Sequence, residues 1–93
     1  MRYNCDKNME LCVRQITEIV DNMDQIRKAA FYSDPRVEPL VEKLHERWKE
    51  NGYKGEPLHY AEPGELELLL DLAKHYATLP LWQAYKIFME RSS

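Results

Sequence analysis

The sequence predicts an all-α fold, a small single-domain bundle of about four helices with one longer loop between the second and third. Three observations carry that expectation. Apolar residues recur three and four apart in four stretches, the spacing of one face of an α-helix. Ser33-Asp34-Pro35, Asn51-Gly52 and Thr78-Leu79-Pro80 separate those stretches, and Glu62-Pro63-Gly64 opens the third. The composition, 44% hydrophobic and 31% charged, suits a packed soluble domain rather than a disordered tail.

Residues 1–8 read as a polar lead-in. The first helix is expected over 9–30, with Leu11, Cys12, Ile16, Ile19, Val20, Met23, Ile26 and Ala30 on one face and Glu10, Arg14, Glu18, Asp21 and Arg27 on the other. It contains no glycine or proline, so a straight rod about 33 Å long follows at 1.5 Å per residue. Asp34-Pro35 then signals a second helix over 35–50. Asp34 is placed to cap free amides, and proline is tolerated at the first helical position because its missing N–H has no partner there. Val37, Leu40, Val41, Leu44 and Trp48 make its stripe, and Gly52 suits the left-handed position past its end.

Residues 51–62 form the longer loop. Tyr53, Leu58 and Tyr60 are more apolar than a solvated loop requires, which predicts that they pin it across the bundle. Pro63 begins a third helix over 63–77, striped by Leu66, Leu69, Leu70, Ala73 and Tyr76 or Ala77 and widened by Leu68 and Leu72, and therefore central. The last helix is expected over 80–91, with Leu81, Ala84, Tyr85 and Phe88 on its core side and Trp82, Ile87 and Met89 elsewhere. Ile16, Ile19, Val20, Met23, Leu40, Leu44, Leu69, Leu70 and Ala73 are the expected core.

Function is less legible. Thirteen lysines and arginines against sixteen acidic residues give a net charge of −3, without the cationic surplus that a general nucleic-acid binder needs. No run approaches the roughly 18 apolar residues of a membrane span, so no membrane partner is expected. Two cysteines, Cys5 and Cys12, are too few for a disulfide framework and read as reduced thiols of a cytoplasmic protein. His45-Glu46 resembles the opening of a zinc-protease motif, but Lys49 stands where its second histidine is required. His45, His59 and His75 are scattered. No metal, cofactor or enzymatic activity is therefore expected.

What remains is an aromatic set suited to contact. The expectation is a protein-binding module that occupies a partner's surface sterically, as inhibitor, adaptor or accessory subunit, with homo-oligomers compatible. Its surface residues would be Trp82, Tyr85, Tyr53, Tyr60, Leu58 and Met89, while Trp48 lies on a core stripe. The alternative is a helix-turn-helix DNA-binding regulator built from residues 63–91, with Gln83, Lys86 and Arg91 facing nucleic acid. Glu62, Glu65, Glu67 and Asp71 on the preceding helix would face phosphates badly.

Overall fold

A computed structural model describes residues 8–92. The only regular secondary structure among the described residues is helical, with no strand. Five α-helices run in the order α1 (Met9–Asp21), α2 (Gln25–Tyr32), α3 (Glu38–Glu50), α4 (Pro63–Thr78) and α5 (Leu81–Ser92), and a single 3₁₀ turn, Pro57–Tyr60, lies between α3 and α4. None is long and apolar enough to cross a membrane. The shortest dimension is 19 Å, about two helix diameters. α4 is the centre, packing on α1 and α2; α5 lies mainly on α2, and the 3₁₀ turn on α3 and α1.

The expected first helix is in fact two. The chain breaks at Asn22-Met23-Asp24 without glycine or proline. Asp24 is extended at ψ 166, and its carboxylate accepts the backbone N–H of Arg27 at 3.0 Å, the bond that starts a new helix. On the other side, the Asn22 side-chain amide donates to the Glu18 carbonyl at 2.8 Å and satisfies a free acceptor at the end of α1. The break lets Met23 turn inward, where it is buried, and gives α2 its own direction under α5. Arg27 adds a long-range tie, since its Nε donates to the Leu79 carbonyl at 2.8 Å and so fixes the end of α4.

The other boundaries follow the punctuation. α3 begins at Glu38, three residues later than expected, because Pro35–Val37 form a tight turn closed by the Val37 and Glu38 amides, which both donate to the Asp34 carbonyl. Gly52 stands at φ +75, where a side chain would be strained, and its amide closes the end of α3 on Lys49. α4 starts at Glu62-Pro63 with a capping box in which Glu65 returns to the Glu62 amide at 2.8 Å. Val37, Leu66, Leu69, Leu70, Ala73 and Ala84 are all but inaccessible to solvent. Of the expected core, Ile19 departs and is only half-buried; the remaining eight are buried, and Cys12, Val13, Phe31, Val37, Leu66 and Tyr76 join them. Cys12 also departs from its reading as a reduced thiol. It is disulfide-bonded, and no described cysteine is free. Cys5 and the lead-in through residue 7 lie outside the described residues.

Candidate functional site

α5 has three faces, and each has a different fate. Ala84, Ile87, Phe88 and Arg91 recur at helical spacing and turn toward α2. Ala84 is fully buried, and Ile87 and Phe88 are half-buried against the core. Leu81, Trp82, Tyr85 and Met89 form a second stripe, and all four are exposed, Trp82 at 68%. Gln83, Lys86 and Glu90 form a polar third face. This corrects the expected orientation. Leu81 and Tyr85 belong to the outer stripe, and Ile87 belongs to the inner one. Alanine at 84 allows α5 to approach α2 closely, and Arg91 sets the rotation.

Arg91 reaches under the helix into a polar network that the sequence does not announce. Its Nη1 donates to the Ala30 carbonyl at 2.8 Å and to Ser33 Oγ at 3.2 Å, closing the C-terminal end of α2. Its Nη2 donates to the Tyr76 hydroxyl at 3.0 Å and lies 3.8 Å from Asp34 Oδ2. Asp34 is the centre, with 1% exposure. It accepts from Arg36 through the backbone amide at 2.7 Å and the guanidinium at 3.0 Å, and from the Tyr76 hydroxyl at 2.6 Å. The hydrogen bonds from Arg36 hold the Asp34 carboxyl well below the usual carboxylate range, against the opposing cost of burial. Burial first, then the bond to Asp34, raises the Tyr76 hydroxyl above its ordinary value. One carboxylate thus joins the α2–α3 turn, α4 and α5. Asp34 does not cap α3 as expected: Val37 stands at that helix's N-cap without a side-chain bond, and the Asp34 carboxylate takes the Arg36 amide of the preceding turn.

A second arginine–carboxylate pair holds the other side. Arg47 of α3 grips Glu65 of α4 with two donors, at 2.7 and 3.2 Å, and donates to the Tyr60 carbonyl at 3.0 Å. Arg47 lowers the Glu65 carboxyl from its ordinary value. The loop residues are pinned around this pair. Leu58 is half-buried against the core, Tyr60 is half-buried with its hydroxyl on the Lys54 carbonyl at 2.6 Å, and the Trp48 indole N–H donates to the Gly55 carbonyl at 3.0 Å. Tyr53 is exposed but sets its ring edge-on to Trp48, with centroids 4.9 Å apart. Trp48 is half-buried rather than internal.

The six expected contact residues therefore fall into two groups. Trp82, Tyr85 and Met89 share one stripe of α5. Tyr53, Leu58 and Tyr60 belong to the loop on α3, and their placement is accounted for by loop packing. α5 packs mainly on α2, and the 3₁₀ turn packs on α3 and α1. Of the residues assigned to nucleic acid, Arg91 is committed to the Asp34 network, Gln83 is half-buried and Lys86 is exposed. α5 rests mainly on α2, whereas a helix-turn-helix packs its two helices on each other.

A cleft remains between α1, α2, α3 and the 3₁₀ turn, with a volume of about 390 Å³. Its floor is apolar and its mouth carries Thr17, Asp21, Tyr32, His45 and Glu56. No local spacing in the sequence announces it, because its wall is assembled from five elements, Leu69 of α4 included. Among the described residues, no group of three or more histidine, cysteine, aspartate or glutamate side chains could hold a metal ion. No family model matches the chain, and neither a curated protein nor a solved structure matches it.

Proposed function

We propose that this chain is a protein-binding module whose working surface is the outer stripe of α5. The observation that carries the reading is the stripe itself. Of the seven large apolar side chains exposed among the described residues, Leu81, Trp82, Tyr85 and Met89 are four, and they are contiguous on one helix face. Contiguous exposed apolar surface is costly in solubility and marks sites of contact. Tryptophan and tyrosine anchor interfaces because they bury large area while losing little rotamer freedom. An exposed amphipathic helix face fits a groove on a partner. Action would be steric, as inhibitor, adaptor or accessory subunit, and the reading invokes no catalytic step.

The nucleic-acid alternative has less support. Arg91 is engaged inside the fold, the acidic side chains of α4 would repel phosphates, and Lys86 remains as the one other cation of α5. The expectation of a cytoplasmic protein rested on reduced thiols. A disulfide at Cys12 removes that support, so the proposal concerns a surface whichever compartment holds it.

The test starts with affinity capture on the whole chain and identification of the captured protein by mass spectrometry. Affinity is then measured for the parent and for Trp82→Ala. Loss of about 2 kcal/mol or more, roughly thirtyfold, is expected of a hot spot. Unchanged affinity in Trp82→Ala and Tyr85→Ala would move the interface away from α5.

A further inference from the structure

The cleft between α1, α2, α3 and the 3₁₀ turn takes no part in the reading of α5. Its volume of about 390 Å³ lies within the range of small-ligand sites. Ile16, Val20, Phe31, Leu44 and Leu69 line it and are buried, giving an apolar body a preformed seat. The mouth has a different chemistry. Asp21 and Glu56 stand there, and no lysine or arginine lines the cleft among the described residues. Neither carboxylate forms an ion pair with a described cation. Asp21 also belongs to the last turn of α1, where backbone carbonyls gather negative charge and no basic side chain offsets it. Burial first, then the Asp21 charge, raises the Tyr32 hydroxyl above its ordinary value. An apolar seat with an anionic, hydrogen-bonding mouth is complementary to one kind of molecule, a hydrophobic body ending in a cation.

We propose that this cleft binds a small amphiphilic amine, its apolar body on Ile16, Phe31, Leu44 and Leu69 and its ammonium group at the mouth with Asp21 and Glu56. A carboxylate of the same shape would meet like charge, and a neutral alcohol would gain the apolar contact alone. A peptide helix is too large for the volume.

The experiment is an NMR titration of the whole chain, following backbone amide signals, with 4-phenylbutylamine, 4-phenylbutan-1-ol and 4-phenylbutyrate at neutral pH. The amine is expected to shift amides of residues 16–21 and 56–58 and to bind about tenfold more tightly than the alcohol, as one charge-assisted contact allows. The carboxylate should not bind. Asp21→Asn, at an exposed position, should keep the parent's melting temperature, reduce amine affinity about fivefold and leave the alcohol unchanged. Val41→Trp, which fills the wall, should abolish both, and Trp82→Ala should alter neither. Equal binding of all three probes, shifts confined to α5, no shift at millimolar amine, or an Asp21→Asn protein that binds the amine as the parent does would each overturn the proposal.

Discussion

α1 and α5 are both amphipathic, yet they are held in different ways. α1 turns every large apolar side chain at least partly inward. Cys12, Val13, Ile16 and Val20 are buried, and Met9, Leu11 and Ile19 are half-buried. α5 buries Ala84 alone, keeps Ile87 and Phe88 half-buried, and leaves Leu81, Trp82, Tyr85 and Met89 in solvent. A hydrophobic contact with α4 secures α1. Ala84, the half-buried Ile87 and Phe88, and a guanidinium secure α5, the last through Arg91 on the end of α2, Tyr76 and Asp34. Because the hold on α5, made by Ala84, Ile87 and Phe88 on the core and by Arg91 on the polar network, is confined to one face, the exposed apolar stripe takes no part in it. Apolar content alone does not say which way a helix faces; the position of its anchoring polar group does.

Removing the hydrophobic hold should have the largest effect. Leu69 is 2% exposed at the centre of α4, and Leu69→Ala should cost about 2–5 kcal/mol in chemical denaturation. A melting temperature equal to the parent's would mean that α4 is not the shared core of α1 and α2. Removing the polar hold comes next. Asp34→Asn leaves Arg36 and Arg91 facing an uncharged amide and should cost about 3 kcal/mol, most of what breaking a buried pair typically costs. A loss below about 0.5 kcal/mol would reduce the network to surface decoration.

Acid should separate the two holds without mutation. The Asp34 carboxyl is depressed in the folded protein, whereas unfolded aspartate titrates near about pH 3.9. The unfolded chain therefore takes up that proton first as pH falls. The stability that Asp34 supplies is complete above about pH 5 and drains away as pH drops through 4 toward the folded value. Glu65, depressed by Arg47, adds to the same acid limb. Thermal melts from neutral pH to pH 3 should fall in the parent, and the fall should be shallower in Asp34→Asn. Parallel curves would show that the ionisation of Asp34 is not coupled to folding.

Much of this architecture was legible because its signals are local. Pro35, Gly52, Pro63 and Pro80 act on their own neighbours, and the boundaries they predict fall within three residues of those observed. The break at residues 22–24 is local too, yet its signal was an aspartate cap rather than a glycine or proline, and a long apolar period concealed it. The Asp34 network is a different matter. Tyr76 is 42 residues from Asp34, and Arg91 is 58 from Ser33. No spacing rule links such residues before the chain folds. For the same reason Trp82 could be recognised as exposed, since it lies off any core stripe, whereas the assignment of Leu81 and Tyr85 to the outer face required knowing where Arg91 points. Disulfide bonding at Cys12 was likewise invisible in a count of two cysteines.

The division of α5 into a holding face and a free face can be measured without any partner. Chemical denaturation is compared for the parent, for Arg91→Met, and for a variant in which Leu81, Trp82, Tyr85 and Met89 are all changed to serine. Arg91→Met should lose about 2–3 kcal/mol, because charged hydrogen bonds to Ala30 and Tyr76 are removed and their acceptors are left behind. The fourfold serine variant should stay within about 1 kcal/mol of the parent, as substitutions outside the packed core do. If the four outer residues together cost more than the one arginine, the outer stripe belongs to the fold, and α5 has no face free to bind a partner.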